Sequence, residues 1–230
     1  MAAVQACNIL ITGANRGLGL EMVKQLVENA PQEQHIFATC RDPDGPKSES
    51  AKTVGSLLGT KGLNLLINNA AILAKGIVKT SKAEDLKNSF TTNVIGPLLI
   101  IQEYLPYLQA AAKASGMPGM SCNKAAIINI STIGGSMATM PPMFGKFPVL
   151  PYCVSKAGFN MLTVLAAEEL KTDEILCMAL HPGWVKTDLG GKNATLEPKE
   201  SIEGVLRVIG GLTEKDQGGF LDYTGATLPW

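Results

Sequence analysis

The stretch Thr12–Leu20, "TGANRGLGL", decides how this chain is read. An apolar, β-branched run, "CNILIT" (7–12), precedes it, and Leu20, Val23, Leu26 and Val27 follow at helical spacing. Between strand and helix sit Gly13, Gly17 and Gly19, in the pattern G-x-x-x-G-x-G. Glycine there permits a tight turn and lets backbone approach a ligand with no Cβ in the way. The helix that follows presents free N–H groups and a positive dipole end, which suit an anion such as a dinucleotide pyrophosphate. The spacing is not G-x-G-x-x-G, so a glycine turn that only packs helix on strand remains an alternative at this point.

Outward from that turn the same alternation repeats. Strands are expected at "HIFATC" (35–40), "LNLLINN" (63–69), "AAIINIS" (125–131), "EILCMAL" (174–180) and "GFLDYTG" (219–225). Most are nearly continuous apolar runs, as strands covered on both faces require. Helical patterns cover 84–112 and 153–171, with a shorter one near 199–210. The expectation is one α/β domain spanning 1–230, a doubly wound parallel sheet of Rossmann type. Segments 113–124 and 133–151 read as loops; the second is long and carries Met137, Met140, Met143, Phe144 and Phe147, which suits an apolar, adaptable pocket wall.

Composition narrows the function. Twenty Lys+Arg balance twenty Asp+Glu, so there is no basic footprint for nucleic acid. No apolar run is long enough to span a bilayer, and the N-terminus lacks the charged start of a signal peptide. Five scattered cysteines without a CxxC point to reduced thiols and a cytoplasmic setting, with no metal site.

The end of the second strand bears on the cofactor. "ATCRDPDG" places Arg41 where the adenosine ribose of a nicotinamide dinucleotide would lie, and an arginine there suits a 2′-phosphate. Arg16 adds a second positive charge, so NADP(H) is favoured over NAD. Asp42, one position on, weighs the other way, and a solvated Arg41–Asp42 turn is the plain alternative. Further along, "PYCVSKAG" sets Tyr152 and Lys156 four apart, on one helical face.

Six elements in order, "TGANRGLG", "LLINNAA", "TTNVIG", "IINIST", "YCVSK" and "HPGWVKTD", resemble the short-chain dehydrogenase/reductase family over most of the chain. "HPGWVKTDLGG" and "GGFLDYTGATLPW" look like the C-factor and sniffer-type carbonyl reductases within it. The resemblance implies a catalytic set of Asn93, Thr132, Tyr152 and Lys156, a small carbonyl substrate and NADP(H). Tyr152 would be the general acid/base, its phenol lowered from about 10 by the Lys156 ammonium. Thr132, standing at the family's serine rather than Ser131, would donate to the substrate oxygen. Asn93 would support a water linking Lys156 to solvent. Gly13, Asn15, Arg16, Gly17, Leu18 and Gly19 would cradle the cofactor, with Arg41, Asn69 and Ala70 toward its adenosine end. Pro182, Gly183, Val185 and Thr187 would line its nicotinamide end, where Tyr152 and Lys156 also touch it. A homodimer through helices 84–112 and 153–171 is a further implication.

Two departures stand out. The family's "NNAG" reads "NNAA" here, adding a methyl at Ala71. More seriously, two strand–helix–strand units sharing a strand need about sixty residues, yet the interval from His35 to Asn69 leaves room for one. The family's third strand and one helix are expected to be missing, which makes the second strand an edge, removes one wall of the adenine pocket and lowers stability and cofactor affinity. A second reading follows: a shortened, weak or inactive reductase fold that acts by binding.

Overall fold

The computed structural model describes residues 4–29, 31, 33–40 and 54–230. In chain order it forms β1 (Asn8–Thr12), α1 (Gly17–Glu28), β2 (His35–Thr39), β3 (Leu65–Asn68) and α2 (Ala83–Phe90). A π-helical turn (Thr91–Ile95) leads into α3 (Gly96–Ala114), then β4 (Ala126–Ile130), α4 (Leu150–Glu169), β5 (Leu176–His181), α5 (Pro198–Gly210) and β6 (Phe220–Asp222). The strands form one parallel sheet in the order β2-β1-β3-β4-β5-β6. This is the Rossmann-like doubly wound architecture expected from the alternation.

Strict alternation along buried strands builds the two apolar layers. Ile9, Ile11, Leu65, Ile67, Ile128 and Met178 face α1 and α5, where Met22, Leu26, Ile202, Val205 and Ile209 meet them. Leu10, Leu66, Ile127 and Cys177 face the other way, onto Ile101, Tyr104 and Leu108 of α3 and Ala167 of α4. β2 is only half-buried, as befits a strand with one open side. Among the described residues it is the outer edge of the sheet, and no strand lies between β2 and β3. Residues 54–58 are helical and tighten into a turn at Gly59–Lys61; the segment 41–53 that precedes them lies outside the described residues.

Three boundaries differ from expectation for local reasons. The long helical pattern 84–112 is not one α-helix: the Gly96 N–H bonds back five residues to the Thr91 carbonyl, inserting a π turn around Asn93. The last strand stops at Asp222, not 225, because the chain turns back there; the Asp222 carboxylate accepts from the Thr224 and Ala226 N–H groups. α4 starts at Leu150, inside the expected loop, with Pro151 tolerated in its first turn. The rest of that loop is tied down by two short 3₁₀ turns, Ile133–Gly135 and Pro141–Met143. Backbone bonds from Gly76 N to Pro148 O (2.8 Å), Leu150 N to Gly76 O (2.9 Å) and Ala138 N to Trp230 O (3.1 Å) hold it further. No described helix is long and apolar enough to cross a membrane. All five cysteines are unbridged.

Candidate active site

The β2-to-β3 connection crosses over β1, so the topology switches between β1 and β3. Ligands of such sheets bind at the carboxyl ends of the strands around that point. The chain places there the Gly13–Gly19 turn after β1, Asn69 after β3, Thr132 after β4 and Pro182 after β5.

The glycine turn is built against the Asn69–Ala70 corner. Gly13 is left-handed (φ +67°), and a Cβ on it would lie 2.9 Å from the Ala70 Cα. A Cβ on Gly19 would lie 2.3 Å from the Gly13 carbonyl oxygen. The Asn69 amide donates to the Thr12 and Gly13 carbonyls (3.0 and 3.2 Å), while the Thr12 hydroxyl oxygen accepts from the Asn69 and Ala70 N–H groups, each at 3.1 Å. Asn69 therefore shapes the turn itself and has no amide hydrogen left over for a ribose. Asn15, Arg16 and Gly17 stand exposed above the turn; Leu18 is half-buried and packs on the core. α1 starts at Gly17 with no side-chain cap and no acidic residue in its first turn. An uncapped helix end with positive dipole, reached over glycine, fits a dinucleotide pyrophosphate.

Arg16, in the glycine turn, has a partner the sequence did not suggest. Its guanidinium reaches Asp188 (3.4 Å), in the loop after β5, with both side chains exposed. Arg41, its expected partner toward a 2′-phosphate, lies outside the described residues. The loop after β5 arches toward α1, with the Thr187 methyl 3.6 Å from a Cβ built on Gly17. Pro182 and Val185 are buried, and Gly183 takes a left-handed turn (φ +84°) against Leu196 and Tyr223.

Thr132, Tyr152, Lys156 and Asn93 converge. The Thr132 side chain stands near the Tyr152 phenol and favours its ionised form. Ser131, one residue earlier, points away and donates to the Asn160 amide oxygen. β4 thus aims the threonine, not the serine, at the tyrosine. Burial is the largest influence on Tyr152 and pushes its phenol above the ordinary value, Cys153 adding to the rise and Thr132 opposing it. Lys156 does not contact the phenol oxygen: its Nζ donates to the Ile130 carbonyl (2.7 Å) and lies 5.9 Å from the Tyr152 ring centre. Burial pulls its pKa down to about 7. In this arrangement Tyr152 keeps its proton at neutral pH, and the expected lowering of the phenol by Lys156 is not present.

Asn93 is fully buried in the π turn. Its side chain accepts from the Ile72 N–H (2.9 Å) and donates to the Ile72 carbonyl (2.9 Å) and to the Ser155 hydroxyl (2.9 Å). Both amide hydrogens are committed to protein, so a water could not take one of them. His181, at the end of β5, is held near a pKa of about 4 by burial despite the charge of Asp222, and is neutral at physiological pH.

Three residues of the site were not singled out from the sequence. Thr12 organises the glycine turn, Ser155 bridges Asn93 to the tyrosine helix, and the Asn160 amide donates to the Gly135 carbonyl (3.2 Å) beside Thr132. Thr12 and Ser155 carried a signal, lying inside the quoted "TGANRGLG" and "YCVSK"; Asn160 carried none.

A parallel sheet with a glycine turn at its switch point and a Tyr–Thr–Lys cluster across from it defines an α/β oxidoreductase. Comparison with known proteins gives the family. The short chain dehydrogenase family model matches residues 29–197. The C-signal protein of Myxococcus xanthus is 34% identical over 181 residues, 74% of this chain and 95% of that protein. The NADPH-bound carbonyl reductase from chicken fatty liver matches with a TM-score of 0.92 at 38% identity, over 100% of this chain and 96% of that one. The carbonyl reductase Sniffer of D. melanogaster matches with a TM-score of 0.89 at 34% identity, over 98% and 100%. The chain belongs to the short-chain dehydrogenase family.

Proposed function

We propose that this protein is an NADP(H)-dependent reductase of aldehydes, ketones or quinones, with Tyr152 as its general acid. The observation that carries the reading is the pairing of the Thr132 side chain, just after β4, with the buried Tyr152 phenol, on a sheet whose glycine turn leads into an uncapped helix end. The similarity to an NADPH-bound carbonyl reductase supports the cofactor. The bound dinucleotide would supply a hydride to the carbonyl carbon. The chain's own residues manage the oxygen: Thr132 donates a hydrogen bond to it, and Tyr152, kept protonated by burial, passes it a proton. The resulting phenolate, like the cofactor's anionic groups, favours the charged form of Lys156, which then stabilises it. Gly13, Asn15, Gly17, Leu18 and Gly19 hold the pyrophosphate end; Pro182, Gly183, Val185 and Thr187 bound the nicotinamide end. Arg16, released from its exposed and therefore weak pair with Asp188, is free to meet a 2′-phosphate.

The test is turnover of a vicinal dicarbonyl or a quinone by the purified chain with NADPH. Tyr152→Phe is expected to lower kcat by about 10²–10⁴ while the NADPH-induced rise in melting temperature persists. Turnover unchanged in that variant would remove Tyr152 from the proposed role. The open edge at β2 favours a second reading, a reductase fold that binds but does not turn over. Cofactor binding without turnover of any carbonyl would establish it. We further propose a cytoplasmic homodimer in which a second copy covers the exposed Phe90, Leu99, Val154, Met161 and Leu165 on the two long helical segments. A monomeric mass by light scattering at micromolar concentration would contradict the dimer.

A further inference from the structure

We infer that Ser155 is a positioning residue for Tyr152, the link through which Asn93 sets the orientation of the catalytic turn; this rests on the reading above. Ser155 is buried (1% exposed) in the first turns of α4, three residues after Tyr152 and one before Lys156. Its hydroxyl does two things at once: it donates to the Tyr152 carbonyl (2.7 Å) and accepts from the Asn93 amide (2.9 Å). Asn93 in turn grips both backbone groups of Ile72, in the segment that leaves the Asn69–Ala70 corner of the glycine turn. A continuous chain of hydrogen bonds therefore runs from the cofactor side of the cleft, through Ile72, Asn93 and Ser155, to the backbone of the residue that carries the acid.

The topology explains why such a link is needed. α4 follows a long loop, so its first turn is held by contacts from other parts of the chain. The backbone bonds between Gly76 and residues 148 and 150 pin that turn just before Tyr152. Ser155 pins it just after. The π turn places Asn93 where it can reach both Ile72 and Ser155. Removing the serine hydroxyl leaves one buried Asn93 hydrogen without an acceptor and lets the Tyr152 carbonyl, and the ring with it, move. The phenol must meet a substrate oxygen at hydrogen-bond distance, so a small rotation weighs on the chemical step and not on cofactor affinity.

The experiment compares Ser155→Ala, Ser155→Thr and the double variant Asn93→Ala with Ser155→Ala. Each is assayed for kcat, KM, NADPH affinity and melting temperature. Tyrosine labelled with ¹³C at Cζ gives an activity-independent view, the Tyr152 signal being the one missing from Tyr152→Phe. For Ser155→Ala the expectation is a kcat lower by about 10- to 100-fold, KM and NADPH affinity within about twofold, and a displaced Tyr152 signal. Ser155→Thr restores the signal and most of kcat. The double variant is no slower than Asn93→Ala alone, because both substitutions cut one chain. The inference is overturned if Ser155→Ala keeps the wild-type kcat and Tyr152 signal. It is equally overturned if its loss of rate tracks an equal loss of cofactor affinity and melting temperature, as mere packing would give. Should the wild type turn over no carbonyl, the proposed function fails, and the Tyr152 signal alone decides the inference.

Discussion

At the scale of single residues, the chemistry is set by what burial does to Tyr152 and Lys156. Both are driven toward their neutral forms, the phenol upward and the ammonium down to about 7. For Lys156 the sign of the linkage is definite. Its native pKa lies below the unfolded value of 10.5, so between about 7 and 10.5 the unfolded chain binds the extra proton. Burying Lys156 costs stability in full below pH 7, and the cost is relieved as pH rises through that window. Stability of the wild type relative to Lys156→Met should therefore grow from pH 7 to 9, by up to about 1.4 kcal/mol per pH unit, measured by urea denaturation of the cofactor-free proteins. A difference that stays flat over that range would show that Lys156 is charged in the native state. The identities of these residues were legible in the sequence; their states were not. "YCVSK" fixes a shared helical face, and in "INIST" the resemblance already picks Thr132 over Ser131. What the sequence did not show is that Asn160, 29 positions on, takes up Ser131. The same holds for Arg16: its charge was visible, but not that Asp188, 172 positions away, would stand opposite it.

At the scale of elements, the glycine turn and the π turn do the positioning. Gly19 is constrained by backbone rather than by a movable side chain, since its Cβ would collide with the Gly13 carbonyl oxygen. Gly19→Ala should lose about 1–3 kcal/mol of stability by overpacking and abolish the NADPH-induced rise in melting temperature, both read in one thermal-shift titration. Retention of the full NADPH shift would mean that the turn does not hold the cofactor. The glycines were conspicuous in the sequence because strand, turn and helix signals adjoin there. The π turn was not. Its sequence, "TTNVI", keeps the helical periodicity on both sides, and the insertion comes with a tertiary bond, Asn93 to Ile72, that sequence pattern does not show. The early start of α4 was hidden for a related reason: Pro151 reads as a breaker, although the first turn of a helix needs no N–H from it.

At the scale of the whole molecule, the sheet was read well because its strands are buried on both faces and so appear as uninterrupted apolar runs. The shortness of the interval between β2 and β3 was likewise visible by counting residues. Among the described residues the sheet ends at β2, whose side chains are half exposed. The glycine turn, the Thr132–Tyr152 pair and the loop after β5 all sit at the strand ends nearer the sheet's centre, so the open edge leaves them assembled. The open edge lies on the side where the sequence reading places the adenosine end of the cofactor. The most direct measurement of the central claim is a thermal-shift titration of the purified chain with NADPH and, in parallel, with NADH. The account predicts a saturable rise in melting temperature with NADPH at lower concentrations than with NADH. A cooperative melt that neither dinucleotide moves at millimolar concentration would contradict it.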